Sequence, residues 1–75
     1  MKPITGYIYD AYKGPMDERG HYVIFGHVFG DKMQRFTDGD LIRTSRVTGE
    51  IEGRDYAADV TTLNSVYRII NWKEV

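Results

Sequence analysis

Four runs of the chain carry apolar residues in the pattern of strands. In Gly6–Tyr12, Tyr7 and Tyr9 fall on one strand face and Ile8 on the other, because successive side chains of a strand point to opposite sides. Tyr and Ile suit such a pleated surface. Lys13–Gly20 then breaks the pattern, since Gly and Pro bracket a charged segment that reads as a mobile loop. Tyr22–Phe29 is the strongest strand, and Gly26 within it marks a bulge, a kink or a close backbone approach. Gly30-Asp31-Lys32 turns the chain into Met33–Phe36.

The third run follows Asp38-Gly39, a strong hairpin signal where apolar and β-branched residues flank it. Along Leu41–Val47, alternation puts Leu41, Arg43, Ser45 and Val47 on one face and Ile42, Thr44 and Arg46 on the other. Neither face is cleanly apolar, which suits a barrel rim or a subunit contact. Thr48–Asp55 is a polar connector with two glycines and reads as a protruding hairpin with Ile51 at its tip. The fourth run, Val60–Ile70, fits a helical stripe through Leu63, Val66, Tyr67 and Ile70. It also fits a strand through Leu63, Ser65, Tyr67 and Ile69. Its β-branched residues and missing capping box favour the strand, with a short C-terminal helix as the alternative. Residues 1–75 therefore read as one all-β domain, a small five-stranded SH3-like or OB-like barrel.

Size then adds a constraint. A chain of 75 residues buries only roughly 60–65% of the surface its unfolded form exposes, and small domains recruit staples or copies of themselves. There is no cysteine, so disulfides and thiolate zinc sites are excluded and oligomerisation is the staple left. A homo-oligomer is expected, in an intracellular, cytoplasmic setting. The start has no apolar h-region, and the longest apolar stretch, Tyr22–Phe29, is interrupted by Gly26 and His27. Neither a signal peptide nor a membrane span is expected. Ten basic against eleven acidic residues leave a net charge of −1, which disfavours generic nucleic-acid coating.

Candidate chemistry is sparse. If 22–29 is extended, His21 and His27 stand about 20 Å apart at roughly 3.3 Å per residue, too far to share an ion, so no metal or cofactor is expected. Ser45 and Ser65 lie in no nucleophile-elbow pattern, and no spacing ties either histidine to them, so the chain is read as a non-enzyme. The surviving chemistry is anion binding. Arg43, Thr44, Ser45, Arg46, Asn64, Ser65, Tyr67 and Arg68 supply the forked cations, neutral donors and stacking ring that a nucleotide requires. A strand over Thr61–Arg68 lying beside Leu41–Val47 would gather them, and a subunit interface would double the trap. The alternative is structural. Thr44 and Thr62 are then good strand residues, Asn64-Ser65 a turn or bulge, and the arginines solvated or paired with Asp38, Asp40, Glu50 or Glu52. Most of the ten aromatic residues fill the core, but an exposed Tyr ladder would suit protein recognition.

The pattern Phe36-x-Asp38-Gly39-x-x-Ile42-x-Thr44-Ser45, followed by Thr62-x-Asn64-Ser65-x-Tyr67, resembles one found in short accessory proteins of tailed bacteriophages and prophages. The likeness covers the second half of the chain; residues 1–34 lie outside it. It implies a small viral protein made in the host bacterial cytoplasm, in a class that includes inhibitors of host defence. Some members of that class block a defence protein by direct contact, and others sequester a nucleotide signal. No catalytic residue is carried over by the resemblance. A single-stranded nucleic-acid-binding barrel is the remaining alternative.

Overall fold

A computed structural model describes residues 3–49, 51, 53 and 58–73. Five strands form one mixed sheet: β1 (Gly6–Lys13), β2 (Ile24–Phe29), β3 (Leu41–Arg43), β4 (Ala58–Thr61) and β5 (Val66–Ile69). Their order across the sheet is β3-β2-β1-β5-β4. The β1–β5 pair is parallel and the other three pairs are antiparallel. The all-β, five-stranded reading of the sequence is correct, and there is no helix among the described residues.

Alternation selects the core. Ile8, Ile24, Val28, Val60 and Ile69 are fully buried on the inner face, each contributing about 1.5–3 kcal/mol. Tyr22, Phe36, Ile51 and Trp72 pack against this cluster from its margins. Period two alone would fail in β1, where Ile8 and Ala11 both point inward. One extra residue resolves the conflict: Tyr9 faces His27 and Tyr12 faces Phe25, three steps on β1 against two on β2. The inserted Asp10 adopts φ 52°, a left-handed conformation that Asp tolerates better than most residues. Asn71 holds it there, donating to the Asp10 carboxylate (2.8 Å) and accepting from the Asp10 amide (3.1 Å).

Gly26 is the point of close approach its place in the strand run suggested, although the bulge lies in the neighbouring strand. A Cβ at Gly26 would run into the Ile8 Cγ2 methyl and come within 3.2 Å of both Ala11 Cα and the Tyr9 carbonyl oxygen. The Asp-Gly turn also forms. The Asp40 amide donates to Thr37 O (3.0 Å), and Gly39 takes φ +95°, where a side chain would be strained. This turn does not pair Met33–Phe36 with β3. It ends the 30–40 loop, and the Gly39 amide anchors it on Val28 O (2.7 Å) so that β3 pairs with β2.

Three further sequence expectations need correction. Val60–Ile70 is neither one strand nor a C-terminal helix: Thr62–Ser65 reverses the chain between β4 and β5, with Thr62 and Ser65 exchanging hydrogen bonds. The barrel is not closed by a ladder. β3 and β4 are the sheet's edges, joined at one end only, by the Val47–Thr62 bridge and the Thr48 amide on Thr61 O (2.8 Å). Within the Lys13–Gly20 loop, the Gly14 amide donates to Val23 O (2.9 Å) and the Asp17 amide to His21 O (2.9 Å). Ile51 packs on the core instead of at a protruding tip; most of the hairpin expected around it lies outside the described residues.

Candidate functional site

The eight residues expected to bind an anion are spread over separate regions, for a topological reason. Parallel pairing places β1 between β2 and β5, so β5 does not lie beside β3. Arg43 on β3 and Arg68 on β5 are three strand steps apart, roughly 14 Å at strand spacing. Arg43 stands on the outer face opposite Phe25. Arg68 donates from Nε (2.9 Å) and Nη2 (3.2 Å) to the two Asp59 carboxylate oxygens. Hydrogen bonding to that carboxylate, and then its charge, raises the Arg68 pKa above its already high ordinary value. Thr44 is buried and structural: its hydroxyl accepts from the Ile24 amide (3.0 Å) and donates to Ser45 O (2.8 Å). Between the two segments Ser45 and Asn64 do meet, with the Asn64 amide donating to Ser45 Oγ at 2.7 Å.

Ser65 and Tyr67 are buried and belong to a cluster centred on Arg35, which sequence reasoning passed over. Arg35 Nη2 donates to Ser65 Oγ (2.7 Å) and Tyr67 Oη (3.2 Å). The 30–40 loop aims it there. The Asp31 carboxylate accepts from the Met33 amide (3.3 Å) and the Arg35 amide (2.8 Å), winding a tight turn through Gln34 at φ 53°. Asp31 has a side chain only 1% exposed, with Arg35 Nε 3.9 Å away, so the guanidinium also neutralises a buried charge. The available signal was Asp31 four residues before Arg35, a spacing that suggests a pair only on a helix.

The most distinctive surface is the outer face of β1 and β2. Three cross-strand partners stack ring on ring: Tyr7 with Phe29 (centroids 5.3 Å), Tyr9 with His27 (5.3 Å) and Tyr12 with Phe25 (5.2 Å). The Asp10 bulge makes the third rung possible, since without it Ala11 would oppose Phe25. Each such pair adds about 0.5–1.5 kcal/mol beyond area burial, so the ladder also stabilises the sheet. His27 Nδ1 lies 3.0 Å from Gly39 O; a carbonyl only accepts, so this nitrogen carries the proton. Leu41, 60% exposed, and Arg43 border the ladder on β3, and Lys73 Nζ stands 5.4 Å over the Tyr12 ring.

At the far end of β1 the Asp17 carboxylate Oδ1 accepts from the Arg19 (2.8 Å) and His21 (2.9 Å) amides. The His21 amide hydrogen bond is the main reason its pKa lies below the ordinary aspartate value. A depressed folded-state pKa means the ionised carboxylate supports the turn fully above the unfolded value of about 3.9, and that support is lost as pH falls through the depressed value. In an acid titration followed by NMR, the Arg19 and His21 amide protons should shift together with a midpoint below about 3.9. A midpoint at or above that value would contradict the assigned bonds.

Among the described residues no three His, Cys, Asp or Glu side chains are grouped to hold a metal ion, and no helix is long and apolar enough to cross a membrane. No protein-family model, no curated protein and no solved structure matches this chain.

Proposed function

We propose that this chain is a non-enzymatic accessory binding protein of the phage type, which neutralises a host factor by direct protein contact through the outer face of β1 and β2. The observation that carries the reading is the three-rung aromatic ladder flanked by Leu41 and Arg43. Tyr and Arg are enriched at binding hot spots, where a buried ring contributes far more than its neighbours. The orientation of the rings favours protein over single-stranded nucleic acid. Each ring spends one face on its cross-strand partner, which leaves less open ring surface for the base stacking that a single strand needs. The net charge of −1 adds no pull on a polyanion.

The test is a paired one in bacteria that carry a defence system. Wild-type protein should restore plating of a sensitive phage and co-purify with one host protein at fixed stoichiometry. Tyr9→Ser combined with Leu41→Ser should keep the fold by circular dichroism yet weaken that complex about 30-fold, the equivalent of roughly 2 kcal/mol. A folded double variant that rescues as well as wild type would sink the proposal. Sedimentation of the purified protein over a concentration series separates a second copy of the chain from a host partner as the occupant of this face.

A further inference from the structure

Asp38-Gly39 is the chain's one Asp-Gly pair, and glycine puts no side chain in the way of attack by its own amide nitrogen on the preceding carboxyl group. In an unfolded chain the Gly39 nitrogen can form a bond to Asp38 Cγ. The Cγ–O bond breaks, and the carboxyl hydroxyl leaves as water with the amide hydrogen. Water then adds back to the succinimide ring, either at Cγ, which restores aspartate, or at the main-chain carbonyl carbon. The second route cuts the original C–N bond and leaves the backbone running through Cβ and Cγ, as isoaspartate of unchanged mass. We propose that Asp38 is a modification site gated by folding: the native turn blocks ring closure, and isoaspartate forms there only when the 30–40 loop opens. The proposal is independent of the protein contact made by the aromatic face.

Backbone rotation is the first block. The Asp40 amide donates to Thr37 O (3.0 Å) and Gly39 sits at φ +95°, whereas among the described non-glycine residues only Asp10 and Gln34 have positive φ. A turn with positive φ at its second central residue alone is type II, which sets ψ of the first, Asp38, at about +120°. Ring closure requires Cβ and the Gly39 nitrogen to eclipse about the Cα–C bond, at ψ of about −120°, the value in the mirror-image type II′ turn. The native turn therefore holds Asp38 roughly 120° of rotation away from reaction.

Hydrogen bonds are the second block, because both reacting groups are engaged elsewhere. The nucleophile, the Gly39 amide, donates to Val28 O (2.7 Å). The electrophile's Oδ1 accepts from the Gly30 amide (2.9 Å). Burial contributes nothing: a Cβ at Gly39 would meet no atom within 4 Å, so water reaches the turn. Opening must instead release the loop, which is tied down by the Lys32 amide on Thr5 O (2.8 Å) and by Arg35 on Ser65 and Tyr67. The product could not re-form this junction, since its extra main-chain carbon falls inside the Thr37–Asp40 turn and the carboxylate that held Gly30 is consumed.

The full-length chain aged at neutral pH in buffer and in guanidinium chloride tests this. Trypsin releases Phe36–Arg43, in which electron-transfer fragmentation distinguishes isoaspartate at position 38 from aspartate. Isoaspartate should accumulate in denaturant and form at least about tenfold more slowly in buffer, the suppression that an opening cost of about 1.4 kcal/mol gives. Arg35→Lys, which weakens the loop's tie and keeps the tryptic site, should speed the reaction in buffer about fivefold. Equal rates for the wild type in buffer and denaturant would overturn the proposal. An unchanged rate in a folded Arg35→Lys chain would overturn the 30–40 loop as the gate.

Discussion

Gly26→Ala should cost this domain about 3 kcal/mol, near the upper end of what overpacking does in a core. The added methyl would overlap Ile8 Cγ2 and press on two backbone atoms, Ala11 Cα and the Tyr9 carbonyl oxygen. A side chain can rotate away; this stretch of backbone cannot, because the Asp10 bulge is pinned by Asn71 on its other side. A 75-residue domain has about 4–11 kcal/mol of stability in all, so the loss is a large share. Thermal melting followed by circular dichroism should show Tm falling by about 15 °C. Adding Ile8→Leu, which removes the overlapping methyl but leaves the backbone contacts, should recover only part of the loss. A single variant that melts with the wild type would mean that β1 and β2 are farther apart at this point than described.

The second large effect is expected at Arg35. Arg35→Ala removes the donor to Ser65 and Tyr67 together with the cation nearest a carboxylate that is 1% exposed. Breaking a fully buried pair costs about 3–5 kcal/mol. Here the Arg35 side chain is 34% exposed and Asp31 keeps two backbone donors, so about 2 kcal/mol is expected. Urea titration should lower the midpoint without changing the slope. Arg35→Lys should restore less than half of the loss, because a single ammonium cannot reproduce both the Nη2 bonds to the two hydroxyls and the Nε approach to Asp31. An unchanged midpoint in Arg35→Ala would show that the 30–40 loop is held by its own turn alone.

Local rules carried the sequence reading as far as local physics reaches. Alternation in Gly6–Tyr12 placed Tyr7 and Tyr9 outward and Ile8 inward, and a glycine inside an apolar run marked the close approach at Gly26. Asn64-Ser65 did prove to be a turn between strands, the structural alternative to a ligand site. What stayed hidden depends on pairing between distant segments. The bulge falls on Asp10, which is no glycine and becomes intelligible only with Asn71 across from it. The Asp38-Gly39 turn was legible, but its strand's partner was β2, beyond an intervening loop. The proposed anion set fell apart because no property of Leu41–Val47 or Thr61–Arg68 reveals that β1 separates them. Arg35 was missed because its purpose is set by a loop whose shape comes from Asp31.

The parallel β1–β5 pair gives the domain a direction of mechanical strength. Hydrogen bonds from Thr5 N to Val66 O (2.8 Å), Ile70 N to Ile8 O (2.7 Å) and Lys73 N to Ala11 O (2.8 Å) cross between its first and last strands. Tension that draws the start of β1 away from the end of β5 runs along both strands, so it loads these bonds together in shear and cannot peel them one by one. Tension across β3 and its neighbour, an antiparallel edge pair of three residues, would unzip bonds in sequence. Pulled by its two ends, the protein therefore resists as one body until the central ladder fails at once.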